Sequence, residues 1–375
     1  TNKREERAIF VLTCIQVMHI VDAMIIMPLG PQFMRIWLIS PAQFALLVSA
    51  YTSCAAISAI LCALFINRYD RKDSLICLQL GFVLSIVFCL FAKDYGSLLV
   101  ARGIAGFFGG VLNAVVFAIV ADLVPEFRRG TALGKIGIAF PVSSVAGVPI
   151  GLLLANTFDW HAPFSVLLAL SIVTTTGVLF YIPPLVKHVP IARSQNPLKL
   201  TKLILTDQNQ MRALLLISVL FLGGFSVIPF IAPYMVANVG LSEEELPLIY
   251  LFGGLAALFT SRVIGRFCDR YGKIKVFTMI ALISIVPILV LTNLPRAPIS
   301  VALLTSTCFM IFVSGRFIPA MAIVSAASQR ELRGGFMSLN SAAQQIAMCA
   351  ASLTSTTIVG YTVTGELTHY WILGL

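Results

Sequence analysis

Apolar residues in this chain run in long blocks, and polar residues gather in the short intervals between them. Blocks at 9–29, 42–66, 74–92, 97–121, 133–156, 163–184, 212–236, 247–267, 276–293, 299–323 and 335–359 each approach the roughly 20 apolar residues that an α-helix needs to cross a bilayer. Eleven spanning helices are predicted. A twelfth block opens at His369 in HYWILGL and stops at Leu375, too soon to cross, so the twelfth helix reads as truncated. The longest polar interval, Lys187 to Arg212, holds Pro190 and Pro197 and little apolar periodicity. It predicts a cytoplasmic linker at 187–211, between an N-terminal bundle of six helices at 1–186 and a C-terminal helix bundle at 212–375.

Composition points the same way. Of the 375 residues, 58% are hydrophobic and only 11% charged, with a mean hydropathy of +0.95. A soluble domain carries about 25% charged residues. The segment NKREER before the first block resembles the basic start of a secretory leader, but Asp22 interrupts the block, no small-x-small cleavage pattern follows, and ten more blocks come after. A retained helix is expected.

The net charge of +10 raises nucleic-acid binding as a possibility, and the placement of the basic residues decides against it. With the N-terminus in the cytoplasm, 21 of the 26 Lys and Arg residues fall in inside segments, and only Arg35, Lys93 and Arg296 lie outside. This is the positive-inside pattern of a multi-pass protein in a lipid bilayer. The acidic run SEEE at Ser242–Glu245 falls outside and carries little topological weight.

Enzyme chemistry finds no purchase. The four histidines, His19, His161, His188 and His369, are scattered without ligand spacing, and no glycine-rich phosphate cradle follows a strand. The eight cysteines have no metal-ligand spacing and read as small core residues. No cofactor or metal is expected.

The chain repeats itself. GRFCDRYGK (Gly265–Lys273) has a worn copy 202 residues upstream in ALFINRYDRK (Ala63–Lys72), and each follows the second span of its half. Asp269 then aligns with Asn67, Arg270 with Arg68, Gly272 with Asp70 and Lys273 with Arg71. RRGTAL and RGGFMS, between the fourth and fifth spans of each half, agree at an offset of 204 when Arg129 is set on Arg333. A parallel duplication of six helices is what a transporter with rocking halves requires.

These residues resemble the major facilitator superfamily. Gly265-x-x-x-Asp269-Arg270-x-Gly272-Lys273 is similar to its loop motif G-x-x-x-D-R-x-G-R-[RK], with the better copy in the second half. Arg102-x-x-x-Gly106 is similar to the fourth-span R-x-x-q-G motif, with Ala105 in place of Gln. GVPIG at Gly147–Gly151 looks like the fifth-span antiporter motif, and with Trp160 and Phe164 it resembles the arabinose and sugar efflux branch of the drug:proton antiporters.

The resemblance implies an all-α integral membrane protein of two six-helix bundles related by pseudo-two-fold symmetry. It implies a monomer in a bacterial inner membrane, exporting a small organic solute or drug by alternating access in exchange for protons. Uptake or symport of a small anionic solute is the alternative. It also matches the loop motif's second Arg, Arg71, with an acid at the end of the fourth span, Asp122, and makes Glu331 the candidate for Arg270 or Lys273. Such pairs would latch the halves while the site faces outward; mere positive-inside anchoring of Arg68, Arg71 and their neighbours is the other reading. Because Asn67 replaces the motif's Asp, the second-half loop is expected to form the better contacts.

Charges inside a span cost at least about 2.5 kcal/mol at the bilayer centre, so each needs a reason. Three stand out: Asp22, Arg102 and Arg316. Asp22 lies about 5 Å beyond the middle of the first span at about 1.5 Å rise per residue, and Arg102 lies within about 5 Å of the same depth, so an ion pair is geometrically allowed. Burial favours a neutral carboxyl at Asp22 and a nearby cation favours a charged one, the tension a proton carrier needs. His19 is three residues from Asp22 on the same helical face and either shares the proton or is a neutral, hydrogen-bonded residue. Proton coupling through the fourth-span Arg comes from the resemblance; a snorkelling Arg102 is the alternative. Arg316 either binds an anionic substrate group, pairs with Asp22 or locks helices.

Asn113, Asn340 and Gln344 would complete a polar cavity, or hydrogen-bond between helices. Asn340 and Gln344, four apart, share a face from which Gln345 is turned by about 100°. Tyr51 and Tyr234 are candidate aromatic walls or interface anchors. Gly106 with Gly110, and Gly147 with Gly151 around Pro149, predict close helix packing and a bend in the fifth span.

Overall fold

In hydrocarbon the backbone has only itself to bond to, so an apolar block of this length becomes a helix. The computed structural model describes residues 3–65, 69–125, 132–133, 135–186, 197–327, 333–362 and 365–375. Among them, ten helices are long and apolar enough to cross a membrane. In chain order the first half runs through α1 (Lys3–Ile25), α2 (Gly30–Trp37), α3 (Pro41–Phe65), α4 (Arg71–Phe91), α5 (Tyr95–Gly109), α6 (Leu112–Leu123), α7 (Ala139–Val142), α8 (Val148–Thr157) and α9 (Ala162–Tyr181). Then come α10 (Pro197–Thr206), α11 (Gln208–Val227), α12 (Ile231–Tyr234), α13 (Leu246–Tyr271), α14 (Lys273–Thr292), α15 (Ile299–Gly315), α16 (Phe317–Ala327) and α17 (Arg333–Ile358). A two-residue hairpin, Gly360–Tyr361 with Leu367–Thr368, and a short α18 (Tyr370–Gly374) follow where the twelfth helix was expected to begin.

Two segments depart from the apolar pattern. α17 is 26 residues long but is not among the ten, because Asn340, Gln344, Gln345 and a string of Ser and Thr dilute it. It tolerates them by being inside: its most extensive contacts are with α3 of the first half and α11 of the second. The expected linker is helical in part. Pro197 opens α10, where a missing N–H does no harm, and Ile204 is buried against α11. Asp207 then caps α11, its carboxylate accepting from the N–H groups of Asn209 and Gln210, both at 2.9 Å.

Several spans are interrupted, each for a local reason. The fourth breaks at Gly110–Val111, between α5 and α6. The tenth breaks at Arg316, where Pro319 withholds the N–H that the carbonyl of Gly315 would otherwise receive. At the offset of 204, Gly110 and Val111 fall on Ser314 and Gly315, immediately before the break at Arg316. The fifth carries a π turn, Ser143–Gly147, just before Pro149, and the seventh a 3₁₀ turn at Ile228–Phe230 and a π turn at Met235–Val239.

Glycine sets the helix spacing. A Cβ on Gly106 would overlap the Tyr51 backbone and one on Gly110 would overlap Ala55, so α5 lies directly on α3. Gly147 meets Val21 and Gly151 meets Ile25, bringing the fifth span onto α1. Outward, large apolar side chains such as Phe10, Phe91, Phe180 and Leu304 are exposed, a surface suited to lipid.

Candidate functional site

The close approach of α5 to α3 assembles a buried polar cluster. Arg102 on α5 donates from Nη1 to Asp22 Oδ1 on α1 at 2.9 Å, and from Nη2 to the Asp22 carbonyl at 3.2 Å. The two side chains are 1% and 0% exposed. The Tyr51 ring of α3 lies under the guanidinium, 4.8 Å from Cζ to the ring centroid, where the negative face of the ring attracts the cation. Its hydroxyl is 3.2 Å from His19 Nδ1. Four residues from three helices thus form one connected chain, Asp22, Arg102, Tyr51 and His19.

This chain has unused capacity. Asp22 Oδ2 and Arg102 Nε are buried with no hydrogen-bond partner among the described residues. A buried ion pair is tolerated only when its members hold each other, so removing either one would strand the other's charge.

A second set of polar groups lies around the helix breaks. Gln16 Nε2 on α1 donates to Asn113 Oδ1 on α6 at 2.9 Å. Gln345 Nε2 reaches from α17 to the carbonyl of Gly110 in the other half at 3.3 Å. Asn340 is 2% exposed and its Oδ1 has no partner among the described residues, while Gln344 contacts Met321 Sδ at 3.9 Å. Arg316 has no ion-pair partner among the described residues, and its Nε is buried and unbonded. Its Nη2 faces Gly224, only 3.8 Å from where a Cβ would stand. Of its three expected uses, pairing with Asp22 is overturned, since Arg102 occupies that place.

Two aromatic-wall expectations meet other partners. Tyr51 is engaged within the ion-pair cluster, as described above. Tyr234 is buried, donates to the Leu294 carbonyl at 3.0 Å and packs on Tyr370, with ring centroids 4.6 Å apart. Gln16 was missed, although Gln16, His19 and Asp22 recur every three residues along one side of α1, a polar stripe visible before folding.

Comparison with known proteins settles the lineage. The family model for the Major Facilitator Superfamily matches residues 12–352. The chain belongs to the major facilitator superfamily. Similar sequences include the uncharacterized MFS-type transporter YbcL of Bacillus subtilis, 26% identical over 311 residues, covering 82% of this chain and 77% of that protein. A chloramphenicol resistance protein of Streptomyces lividans is 26% identical over 336 residues, covering 88% and 83%. A solved D-xylose-proton symporter superposes with a TM-score of 0.78 at 17% identity, over 98% of this chain and 94% of that one. This major facilitator protein is therefore a multi-pass membrane transporter.

The loop motifs of this major facilitator chain follow a different balance from the one expected. In the first half Arg71 Nε donates to Asp122 Oδ2 at 2.5 Å, the match drawn from the family. Asp70, the residue in place of the motif's later Gly, accepts at 2.9 Å from the N–H groups of Lys72 and Leu185, tying α4 to the end of the sixth span. Asn67, Arg68 and Glu331 lie outside the described residues.

In the second half Asp269 and Arg270 are exposed; Arg270 stacks on Tyr271 at 5.4 Å, and Lys273 donates to the Ala322 carbonyl at 3.4 Å. The better-formed contact among the described residues is thus in the first half, a reversal with a simple cause. At the offset of 204 the partner of Asp122 is Ala326, so the second loop has no carboxylate at the equivalent place. Arg71 and Asp122 also belong to the same half, so this pair does not itself join one half to the other.

Proposed function

We propose that the protein is a proton-coupled exporter of a small organic solute or drug, a monomer working by alternating access. It sits in a bacterial inner membrane with its N-terminus in the cytoplasm, as the distribution of basic residues favours. The observation that carries the reading is the buried Asp22–Arg102 pair, with an oxygen on Asp22 that has no partner among the described residues. A proton taken up at Oδ2 neutralises the carboxyl and weakens its hold on Arg102. The guanidinium then leans on the Tyr51 ring. His19, hydrogen-bonded to Tyr51, stands next in line to share or relay the charge. α1 and α5 change their mutual attraction as the proton comes and goes. Export, rather than uptake, is supported by the chloramphenicol resistance relative.

The test uses proteoliposomes with an imposed pH gradient and a panel of amphipathic drugs, sugars, nucleosides and carboxylates. Asp22→Asn is expected to abolish accumulation against a gradient while leaving solute counterflow within about two-fold of wild type. Gradient-driven accumulation that survives Asp22→Asn refutes proton coupling through this residue.

One observation favours a second reading, uptake or symport of an anionic solute: Arg316 at the tenth-span break has no ion-pair partner among the described residues, and its Nε is unbonded there. Here Arg316→Ala is expected to remove binding of carboxylate ligands, read by thermal shift in detergent, by about ten-fold or more, the size of a lost charge-assisted hydrogen bond. Asp22→Asn should leave that binding in place. Ligands bound equally well by both variants would remove Arg316 from the site.

A further inference from the structure

The ion pair that joins the two halves among the described residues lies at the opposite face from the loop motifs. Arg35, on α2, grips Glu243 of the SEEE turn with both terminal nitrogens, Nη1 to Oε1 at 2.7 Å and Nη2 to Oε2 at 3.1 Å. The carbonyl of Glu243 accepts from Asn156 Nδ2 at 3.1 Å, and Asn156 Oδ1 accepts from Gln32 Nε2 at 2.6 Å. Gln32 and Arg35 follow the first span and Asn156 ends the fifth, all in the first half. Glu243 lies between the seventh and eighth spans. One residue of the second half is therefore held at its side chain and its main chain by residues of the first.

Both sides of this contact are built. α2 is fixed by Phe33 and Trp37, stacked at 5.2 Å, and by Trp160, whose ring lies 5.3 Å from Phe33 and 5.4 Å from Trp37. The SEEE turn is set by Glu245, whose carboxylate accepts from the Ser242 N–H at 2.8 Å and the Ser242 hydroxyl at 3.1 Å.

The exposure of the pair separates it from the one at the core. The Arg35 side chain is 67% exposed and that of Glu243 17%, against 1% and 0% for Arg102 and Asp22. A solvent-accessible pair is weak enough to break in every cycle, whereas a dry one is not. A bidentate fork also demands one alignment of the two halves and is lost with a small rotation.

We propose that Arg35, Asn156 and Glu243 are the outer gate of the transport cycle. They hold the outer ends of the halves together while the pathway faces the basic, cytoplasmic side, and they part when it opens outward. The inference rests on alternating access in this superfamily, not on proton coupling, the solute or the direction of transport.

The experiment reads the gate without a substrate. Azide-bearing residues at Lys93 and Asn293, exposed at the outer ends of the third and ninth spans, carry a donor and an acceptor dye in the full chain. The labelled protein is placed in phosphatidylethanolamine/phosphatidylglycerol nanodiscs. Glu243→Gln and Arg35→Ala are each expected to raise the ratio of long-distance to short-distance molecules about two- to five-fold, the range of an exposed ion pair. The swapped variant Arg35→Glu/Glu243→Arg should return the ratio toward wild type. Unchanged distributions in both single variants, or a swap that opens as far as the two singles combined, overturn the gate. Salt supplies a check that needs no variant. At about 1 M NaCl, where charges are screened beyond about 3 Å, the wild type should open while Glu243→Gln stays where it was. An equal salt response in the two also overturns it.

Discussion

Arg102→Ala is expected to lower the stability of the folded protein by about 3–5 kcal/mol, because it leaves the Asp22 carboxylate uncompensated at 0% exposure. The measurement is unfolding in mixed micelles of sodium dodecyl sulfate and dodecylmaltoside, followed by circular dichroism. The loss has two parts, desolvation of an unpaired charge and removal of the cation from the Tyr51 ring. Only the first is relieved by neutralising Asp22. The double variant Asp22→Asn/Arg102→Gln should therefore recover most of the stability lost in Arg102→Ala, since two amides carry no net charge. A wild-type unfolding midpoint for Arg102→Ala would show that the pair does not hold α1 to α5.

The second large effect is expected at Gly106. Alanine there places a methyl group against the main chain of Tyr51, at its carbonyl, and α5 has to move off α3. Overpacking of this kind costs about 1–3 kcal/mol, and in this case the clash is with backbone. Trimming the neighbour cannot help: Gly106→Ala should remain unstable when combined with Tyr51→Ala. Gly147→Ala provides the contrast, since its methyl meets the side-chain Cγ2 of Val21. Combining it with Val21→Ala should restore the midpoint in the same unfolding assay. Rescue of Gly106→Ala by Tyr51→Ala would contradict the backbone contact.

Much of this architecture was legible because bilayer physics is coarse. Long apolar blocks become helices, and helix rise alone placed Asp22 and Arg102 at nearly the same depth. Periodicity could not say which way a side chain turns once three helices meet. Tyr51 is an aromatic on a spanning helix in either reading, and only the missing Cβ of Gly106 brings it beneath a guanidinium. Gln16 was overlooked because amides inside apolar blocks are common glue, even though its spacing to His19 and Asp22 was on view. The breaks in the fourth and tenth spans depend on where Gly110 and Pro319 fall relative to their neighbours' carbonyls. α10 was hidden by Pro190 and Pro197, which mark a linker and a helix start equally well. The bond between Arg35 and Glu243 joins the short helix α2 to the SEEE turn, 208 residues apart, and no pattern along the chain connects them.

The polarity of α17 has a bearing on how the chain enters the membrane. A nascent segment carrying Asn340, Gln344 and Gln345 partitions poorly into lipid by itself, and it leaves the ribosome after ten more apolar helices. Its Ser352 hydroxyl bonds the Ala45 carbonyl of α3 at 3.0 Å, and Ser355 bonds the Ser226 carbonyl at 3.2 Å, so its partners are already in place when it arrives. Insertion of this helix thus depends on assembly of those before it.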